Sequence, residues 1–167
     1  MPVQRLKEYL DKNDVKYIVI SHSRAFTAAA IAAITHIKGK EIAKTVMVKL
    51  DGRLAMVVVP GSRNIDLNAL KSETAAKTAV IVTEPEFSDS FPDCEVGAMP
   101  PFGSLYELPV YVDEVLTHDE EIAFNAGSHR ELVRMSYKDY ERLVTPKIVK
   151  VVRKTASETL ADAKLAS

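Results

Sequence analysis

The amino-acid sequence predicts a strand-rich α/β (α+β) fold in one compact domain. The chain has 167 residues, of which 47% are hydrophobic, and this is enough to form one hydrophobic core. Segments whose apolar residues have helical spacing alternate along the chain with segments whose apolar residues have the two-residue spacing of a strand. Asp51-Gly52 separates two β-rich runs and supplies the positive φ angles of a tight type I′ turn, which predicts a hairpin. We expect roughly seven strands in all.

The first forty residues predict a helix, a strand and a second helix. Apolar residues at helical spacing indicate a helix over residues 2–12, and alternation in VKYIVIS indicates a strand over 15–21. Thr27 can N-cap the alanine-rich run that follows it. We expect Gly39 to end that helix, because glycine adopts the left-handed conformation of a helix C-terminus at little cost.

The hairpin covers residues 45–61, TVMVKLDGRLAMVVVPG. Its two strands are almost entirely apolar, which predicts a central pair buried on both faces of a sheet. Asp66 can cap a helix over 67–76, and TAVIVT over 78–83 has the composition of a further strand.

The second half of the chain begins with an acidic segment, residues 84–95, which carries five carboxylates and no base. We expect it to be a solvated stretch of helix and loop. Ser136 and Asp139 form a capping box for a helix that begins with SYKDYERLV. The remaining strand candidates are 108–112, 122–125 and 132–135.

Composition excludes several classes of protein. The formal net charge of −1 excludes a protein that coats nucleic acid with a uniformly basic surface, and it disfavours DNA binding. A local basic patch is not excluded. A single cysteine, Cys94, rules out an internal disulfide framework and a cysteine-rich zinc site. The apolar runs fall short of a membrane span, and the N-terminus has no signal-peptide pattern. We therefore expect a cytoplasmic protein with no metal and no cofactor.

The usual catalytic signatures do not occur in the sequence. There is no GxSxG elbow, no P-loop and no GxGxxG, and the four histidines lack metal-ligand spacing. Cys94 is a conceivable nucleophile, but a lone cysteine is more often inert. His22 follows a predicted strand, where it either faces a pocket or is a hydrogen-bonded surface histidine.

Lys44 lies where a loop enters the buried hairpin. A lysine at this point can direct a positive charge into a cleft beside the strand end. Five basic and two acidic residues between positions 36 and 53 leave a local excess of three positive charges, which favours a phosphate ligand. Ordinary solvated lysines explain the same composition.

A doubled proline between two glycines marks the loop 97–103, GAMPPFG. Gly97 allows close approach to the backbone, and the prolines lock neighbouring carbonyl and N–H groups in a preset orientation, which suits a polarised ester or a small amine. We expect Phe102 to be exposed. A small-residue loop over 125–128 can form the facing wall, while the alternative is that both loops are plain connections.

Together these motifs resemble the YbaK/ProX family of aminoacyl-tRNA editing domains, which is related to the insertion domain of bacterial prolyl-tRNA synthetase. The motifs that follow the family's order are His22 before the Thr27-Ala28-Ala29 helix start, Lys44-Thr45, Val59-Pro60-Gly61, the loop from Gly97 to Pro101 with Phe102-Gly103, Leu108-Pro109-Val110-Tyr111-Val112-Asp113, and Ala126-Gly127-Ser128. We therefore divide the chain into an editing domain over 1–145 and a basic, then alanine-rich, C-terminal tail over 146–167.

The resemblance implies a curved, mixed, β-barrel-like sheet with helices packed outside it. It implies hydrolysis in trans of the ester that joins a wrong, small amino acid to the 3′ end of a tRNA, with tRNA for proline as one carrier and a synthetase as a partner. Lys44, Gly97 and Pro101 take the catalytic positions, and a water assisted by a ribose hydroxyl attacks the ester. The positions for substrate binding are His22, Phe26, Thr45, Met47, Met99, Pro100, Phe102, Gly103, Gly127 and Ser128. Core packing explains the buried methionines equally well.

A second function stays open at this point. The same cleft could belong to a non-catalytic module that binds aminoacyl-tRNA or a nucleotide. Binding without turnover, unaffected by changes at Lys44, is what distinguishes such a module from an enzyme.

Overall fold

A computed structural model describes residues 3–95 and 97–153 of the chain. These residues form two sheets. The strands are β1 (Tyr17–Ser21), β2 (Ala43–Leu50), β3 (Arg53–Pro60), β4 (Ala79–Ile81), β5 (Val110–Asp113), β6 (Glu121–Asn125), β7 (Glu131–Ser136) and β8 (Lys147–Val149).

The described residues form five α-helices, of which the second, third and fifth begin at capping residues that the sequence predicts. They are α1 (Gln4–Lys12), α2 (Ala28–Thr35), α3 (Leu67–Thr74), α4 (Glu84–Phe87) and α5 (Tyr137–Val144). The side chains of Thr27, Asp66 and Ser136 accept hydrogen bonds from backbone N–H groups in the first turns of α2, α3 and α5. No helix of the described ranges is long and apolar enough to cross a membrane.

One sheet is antiparallel with the strand order β1-β7-β6, and the other is mixed with the order β4-β2-β3-β5-β8. The β2–β3 hairpin turns at Asp51 and Gly52, which have φ angles of 51° and 83°. A bridge between Ile42 and Ala123 joins the two sheets next to the start of β2. The prediction of an α/β domain with a mixed sheet is confirmed, and in the described ranges the strands form two linked sheets rather than a closed barrel.

The central strand β3 is buried on both faces. Val58 belongs to the main core, which also contains Phe102 and Tyr140. Val57 and Val59 belong to a second core beneath α3. The prediction of a two-sided central strand is therefore confirmed for β3, and this strand supports the rigid start of β2 beside it.

Three expectations about local structure were wrong. The helix α2 ends at Thr35, where His36 adopts the left-handed conformation, so Gly39 does not end it and instead opens a 3₁₀ turn. Phe102 is not exposed: its exposed fraction is 0%, because its ring packs among other aromatic rings of the core. The acidic segment has the predicted helix and loop, but it is only partly solvated, since Phe87 and Phe91 anchor it in the core.

The chain continues into the mixed sheet after residue 145. Strand β8 pairs in parallel with β5, and the carboxylate of Asp113 accepts a hydrogen bond of 2.8 Å from the Val151 backbone N–H. The alanine-rich helical pattern predicted at the end of the chain lies outside the described residues.

Candidate functional site

A cavity of about 390 Å³ opens between the start of β2, the helix α2 and the proline loop. Its polar and apolar residues come from five separate segments of the chain. Those that bear on its chemistry are Phe26, Lys44, Thr45, Gly97, Met99 and Asn125. Five of these six were predicted individually from the sequence, Asn125 belongs to the loop predicted as the facing wall, and the fold brings all six to one place.

Lys44 supplies the cavity's positive charge. It is the second residue of β2, pairs with Val59 of the buried hairpin, and is partly buried. Burial lowers the pKa of its ammonium group, because a low-dielectric environment disfavours the charged form. No carboxylate in the described part of the chain forms an ion pair with Lys44. The cation is therefore available to a carbonyl or phosphate oxygen of a ligand.

The proline loop is fixed from two sides. The hydroxyl of Thr45 donates a hydrogen bond of 3.2 Å to the Met99 carbonyl, and the buried hydroxyl of Tyr140 donates one of 2.8 Å to the Pro101 carbonyl. At the open end of the loop, Gly97 is exposed and has a φ angle of 81°, which side-chain-bearing residues rarely adopt. The loop is thus rigid where it meets the core and unobstructed where it meets the cavity.

Asn125, the last residue of β6 and the first of the predicted small-residue loop, lies in the cavity wall. The side-chain oxygen of Asn125 is buried and has no hydrogen-bond partner in the described residues, so it is an unsatisfied acceptor in a residue that lines the cavity. Gly127 and Ser128 do not line the cavity. The N–H of Gly127 donates to the Ala98 carbonyl at 2.9 Å, which ties this loop to the back of the proline loop.

Aromatic side chains form the rim of the cavity. Phe26 is 65% exposed, and its ring centroid lies 4.7 Å from that of His129. The guanidinium of Arg24 lies 5.1 Å from the centre of the Phe26 ring. His22 is not part of the lining, and its Nδ1 lies 2.6 Å from the carbonyl oxygen of Ser23. Sequence reasoning did not single out His129, which lies directly after the small-residue loop.

The other predicted binding residues lie outside the cavity. Pro100, Phe102 and Gly103, together with Pro101 of the predicted catalytic set, are buried parts of the loop that do not line the cavity, and Gly103 packs against Leu108 and Val110. Met47 lines a separate, adjoining groove. The fold therefore divides the predicted set into residues that face the cavity and residues that hold its wall in place.

Cys94 does not have the environment of a nucleophile. Its sulfur lies 3.2 Å from the Tyr106 hydroxyl, and burial raises the pKa of the thiol to about 11. The thiol is therefore protonated at neutral pH. The described residues also contain no group of three or more His, Cys, Asp or Glu side chains that could hold a metal ion.

The two-sheet fold, with a lysine-bearing cavity beside a rigid loop, defines a small-ligand site on an α/β domain. The profile of the aminoacyl-tRNA editing domain family matches residues 22–143. The chain belongs to this family, which confirms the resemblance seen in the sequence.

Similar proteins are known in sequence and in structure. The multifunctional Ser/Thr-tRNA deacylase ProXp-y of Escherichia coli (strain K12) is 28% identical over 158 residues, covering 92% of this chain and 93% of that protein. The crystal structure of a candidate trans-editing enzyme for prolyl-tRNA synthetase has a TM-score of 0.78 at 21% identity, covering 91% of this chain and 97% of its own. The crystal structure of the hypothetical protein APE2540 has a TM-score of 0.81 at 20% identity, covering 90% of this chain and 100% of its own. At these identities the two structures support the fold alone.

Proposed function

We propose that this chain is a freestanding aminoacyl-tRNA deacylase, which hydrolyses in trans the ester of a tRNA that carries a wrong, small amino acid. The observation that carries the proposal is the partly buried cation of Lys44, without a carboxylate partner in the described residues, beside a loop whose backbone is locked. Membership of the editing-domain family and the similarity to a Ser/Thr-tRNA deacylase support it.

The proposed mechanism uses no protein nucleophile. Lys44 binds the carbonyl or phosphate oxygen of the substrate, and the backbone around Gly97 holds the aminoacyl group and the terminal ribose. A water assisted by a ribose hydroxyl attacks the ester carbonyl. Orientation and charge stabilisation then supply most of the rate enhancement, and the fixed hydrogen bonds of the loop keep the cost of reorganisation low.

The cavity limits the aminoacyl group by size. A volume of about 390 Å³ that must also admit part of the ribose favours a small aminoacyl side chain. Discrimination among small side chains is weaker, at about 1–3 kcal/mol per methylene. The unsatisfied oxygen of Asn125 offers a hydrogen-bond acceptor for the α-ammonium group or a side-chain hydroxyl. We further propose tRNA for proline as one carrier, a synthetase as a partner and the cytoplasm as the location.

The test is a deacylation time course on alanyl-, cysteinyl-, seryl- and threonyl-tRNA, each charged on tRNA for proline and on its own tRNA. Lys44→Ala is compared with Lys49→Ala, a matched change of a lysine on the same strand that is paired with Glu86 at 3.3 Å outside the cavity. We expect cleavage of at least one ester by the wild type and by Lys49→Ala. For Lys44→Ala we expect a loss of about tenfold or more, since tenfold corresponds to about 1.4 kcal/mol of transition-state stabilisation.

Two results would contradict the proposal. Survival of every ester in the panel, with aminoacyl-tRNA still bound, would favour the non-catalytic binding module. Equal rates for wild type and a well-folded Lys44→Ala protein would remove Lys44 from the mechanism.

A further inference from the structure

The cavity adjoins a second concavity, which we call the β4 groove, with a volume of about 530 Å³. Thr45, Gly97 and Met99 line both spaces and form the wall that they share. Apart from this wall, the groove is lined by residues of β2, of β4 and of the segment that follows β4. The cavity and the groove are thus two neighbouring compartments that meet at the proline loop's open end.

The two compartments differ in chemistry. The cavity holds the Lys44 cation and the Asn125 carboxamide. No charged residue is found among the described residues that line the β4 groove, and the hydroxyl of Thr83 is already used in a hydrogen bond of 3.2 Å to Glu86. Ile81 is 52% exposed, which leaves apolar surface open to a ligand. Such a groove suits a neutral ring system better than a phosphate or a charged amino acid.

We propose that the β4 groove binds the adenine base of the tRNA's terminal nucleotide, an inference that rests on the proposed deacylase function. A 3′-aminoacyl adenosine has two bulky ends joined through a ribose. With the aminoacyl end beside Lys44, we place the base across the shared wall, in the neighbouring β4 groove. Gly97 is exposed and has no side chain, and an added Cβ would lie 3.6 Å from the His129 ring, so the wall is low at this residue and the ribose can cross it beside His129. Base rings bind well to apolar side chains, as single-stranded nucleic-acid sites show.

The experiment uses the full chain and two non-hydrolysable probes. One is 3′-aminoacylamino-3′-deoxyadenosine carrying the preferred amino acid, or the seryl form if none is cleaved, and the other is the same molecule without its base. Binding of both is measured by calorimetry for the wild type, Ile81→Asn and Val80→Asn. Val80 is the matched control, because it lies next to Ile81 on β4, is 51% exposed and does not line the groove.

We expect removal of the base to weaken binding to the wild type about tenfold. Ile81→Asn should weaken binding of the base-containing probe about fivefold and leave the base-free probe unchanged, while Val80→Asn changes neither. Equal binding of the two probes to the wild type, no binding of either, or equal effects of the two substitutions would overturn the proposal.

The deacylation assay separates this proposal from the proposed function. If the expected binding pattern occurs without hydrolysis of any ester, the groove is an adenine site and the deacylase proposal fails. If esters are cleaved but the base makes no contribution to binding, the deacylase proposal stands and the β4 groove is not the adenine site.

Discussion

The hydroxyl of Thr45 donates a hydrogen bond of 3.2 Å to the carbonyl oxygen of Met99, so strand β2 directly holds the proline loop. Thr45 is adjacent to Lys44, and one strand therefore positions both the cation and the loop that faces it. The hairpin partner β3, buried on both faces, keeps this strand in place. The site's geometry thus depends on a strand pair that is anchored in both cores.

This hydrogen bond gives a first prediction. Thr45→Val keeps the shape of the side chain but removes the donor, so the Met99 carbonyl loses its anchor at a cost of about 1 kcal/mol. We expect a small loss of stability, measured by urea unfolding, and a drop of several-fold in kcat/KM for deacylation. Thr45→Ser, which retains the hydroxyl, should preserve the rate. Equal rates for Thr45→Val and wild type would show that the anchor is unnecessary.

Alanine substitutions at the two glycines of the proline loop should impair different properties, activity at Gly97 and stability at Gly103. At Gly97 an added Cβ would lie 3.6 Å from a His129 ring carbon, an ordinary contact, so the cost is mainly the strain of a φ angle of 81°, about 1 kcal/mol. At Gly103 it would lie 2.5 Å from Val110 Cγ2 and collide with the Leu108 carbonyl. We expect Gly97→Ala to fold and lose deacylation, and Gly103→Ala to lose about 2–3 kcal/mol of stability.

Thermal unfolding and single-turnover rates measured on both variants test this distinction. A Gly97→Ala protein that is folded and fully active would show that the open end of the loop does not contact the substrate. A Gly103→Ala protein as stable as wild type would show that the backbone behind the loop can shift freely.

Burial of Lys44 predicts a trade-off between stability and activity. Because its folded pKa is lowered below the ordinary value of 10.5, the unfolded chain binds more protons between those two values. The free energy of unfolding should therefore rise as the pH increases through that window. Lys44→Met removes the desolvated charge, so at pH 7 we expect an equal or higher Tm together with loss of deacylation.

The Tm of both proteins, measured as a function of pH, tests this prediction. The Tm advantage of Lys44→Met over wild type should shrink as the pH approaches 10, since wild type then loses the charge as well. A variant with a much lower Tm at pH 7 would instead assign Lys44 a structural role.

Cys94 should be slow to react with alkylating agents in the native protein. Burial raises the pKa of its thiol to about 11, so little thiolate is present at pH 8. We expect iodoacetamide to modify native Cys94 much more slowly than a small-molecule thiol, and unfolding in guanidinium to restore the ordinary rate. Cys94→Ser should keep full deacylation, whereas a substantial loss of kcat would indicate that the thiol takes part in the reaction.

Local signals in the sequence predicted most of the elements correctly. Asp51-Gly52 and the capping residues Thr27 and Asp66 act on their immediate neighbours, so their effect does not depend on the rest of the fold. Strand β8 was not predicted, because its parallel partner β5 lies more than thirty residues away and its own sequence is short and partly basic. The end of α2 was misplaced because His36, rather than a glycine, adopts the left-handed conformation.

For the site, likewise, the sequence predicted individual residues but not their arrangement in space. Lys44 and Gly97 were identified as residues because each stands at a junction that the sequence marks, a strand start and a proline loop. Their position in a common cavity with Asn125 depends on the pairing of β2 with β3 and on the bridge between the two sheets. Phe102 was expected at the surface, since a loop pattern does not show which of its side chains turns inward.

By itself, the sequence determined the order of the elements before β8, the rigid loop, the family and the lysine on which the proposed chemistry depends. Only the tertiary structure decided which loop residues face the cavity, which ones pack behind it, and that an apolar groove adjoins the polar cavity at Gly97. The physical reason is the distance along the chain over which each interaction acts. Turns, caps and prolines act over a few residues, whereas a cavity is the space left between segments that are distant in the chain and packed together by burial of apolar surface.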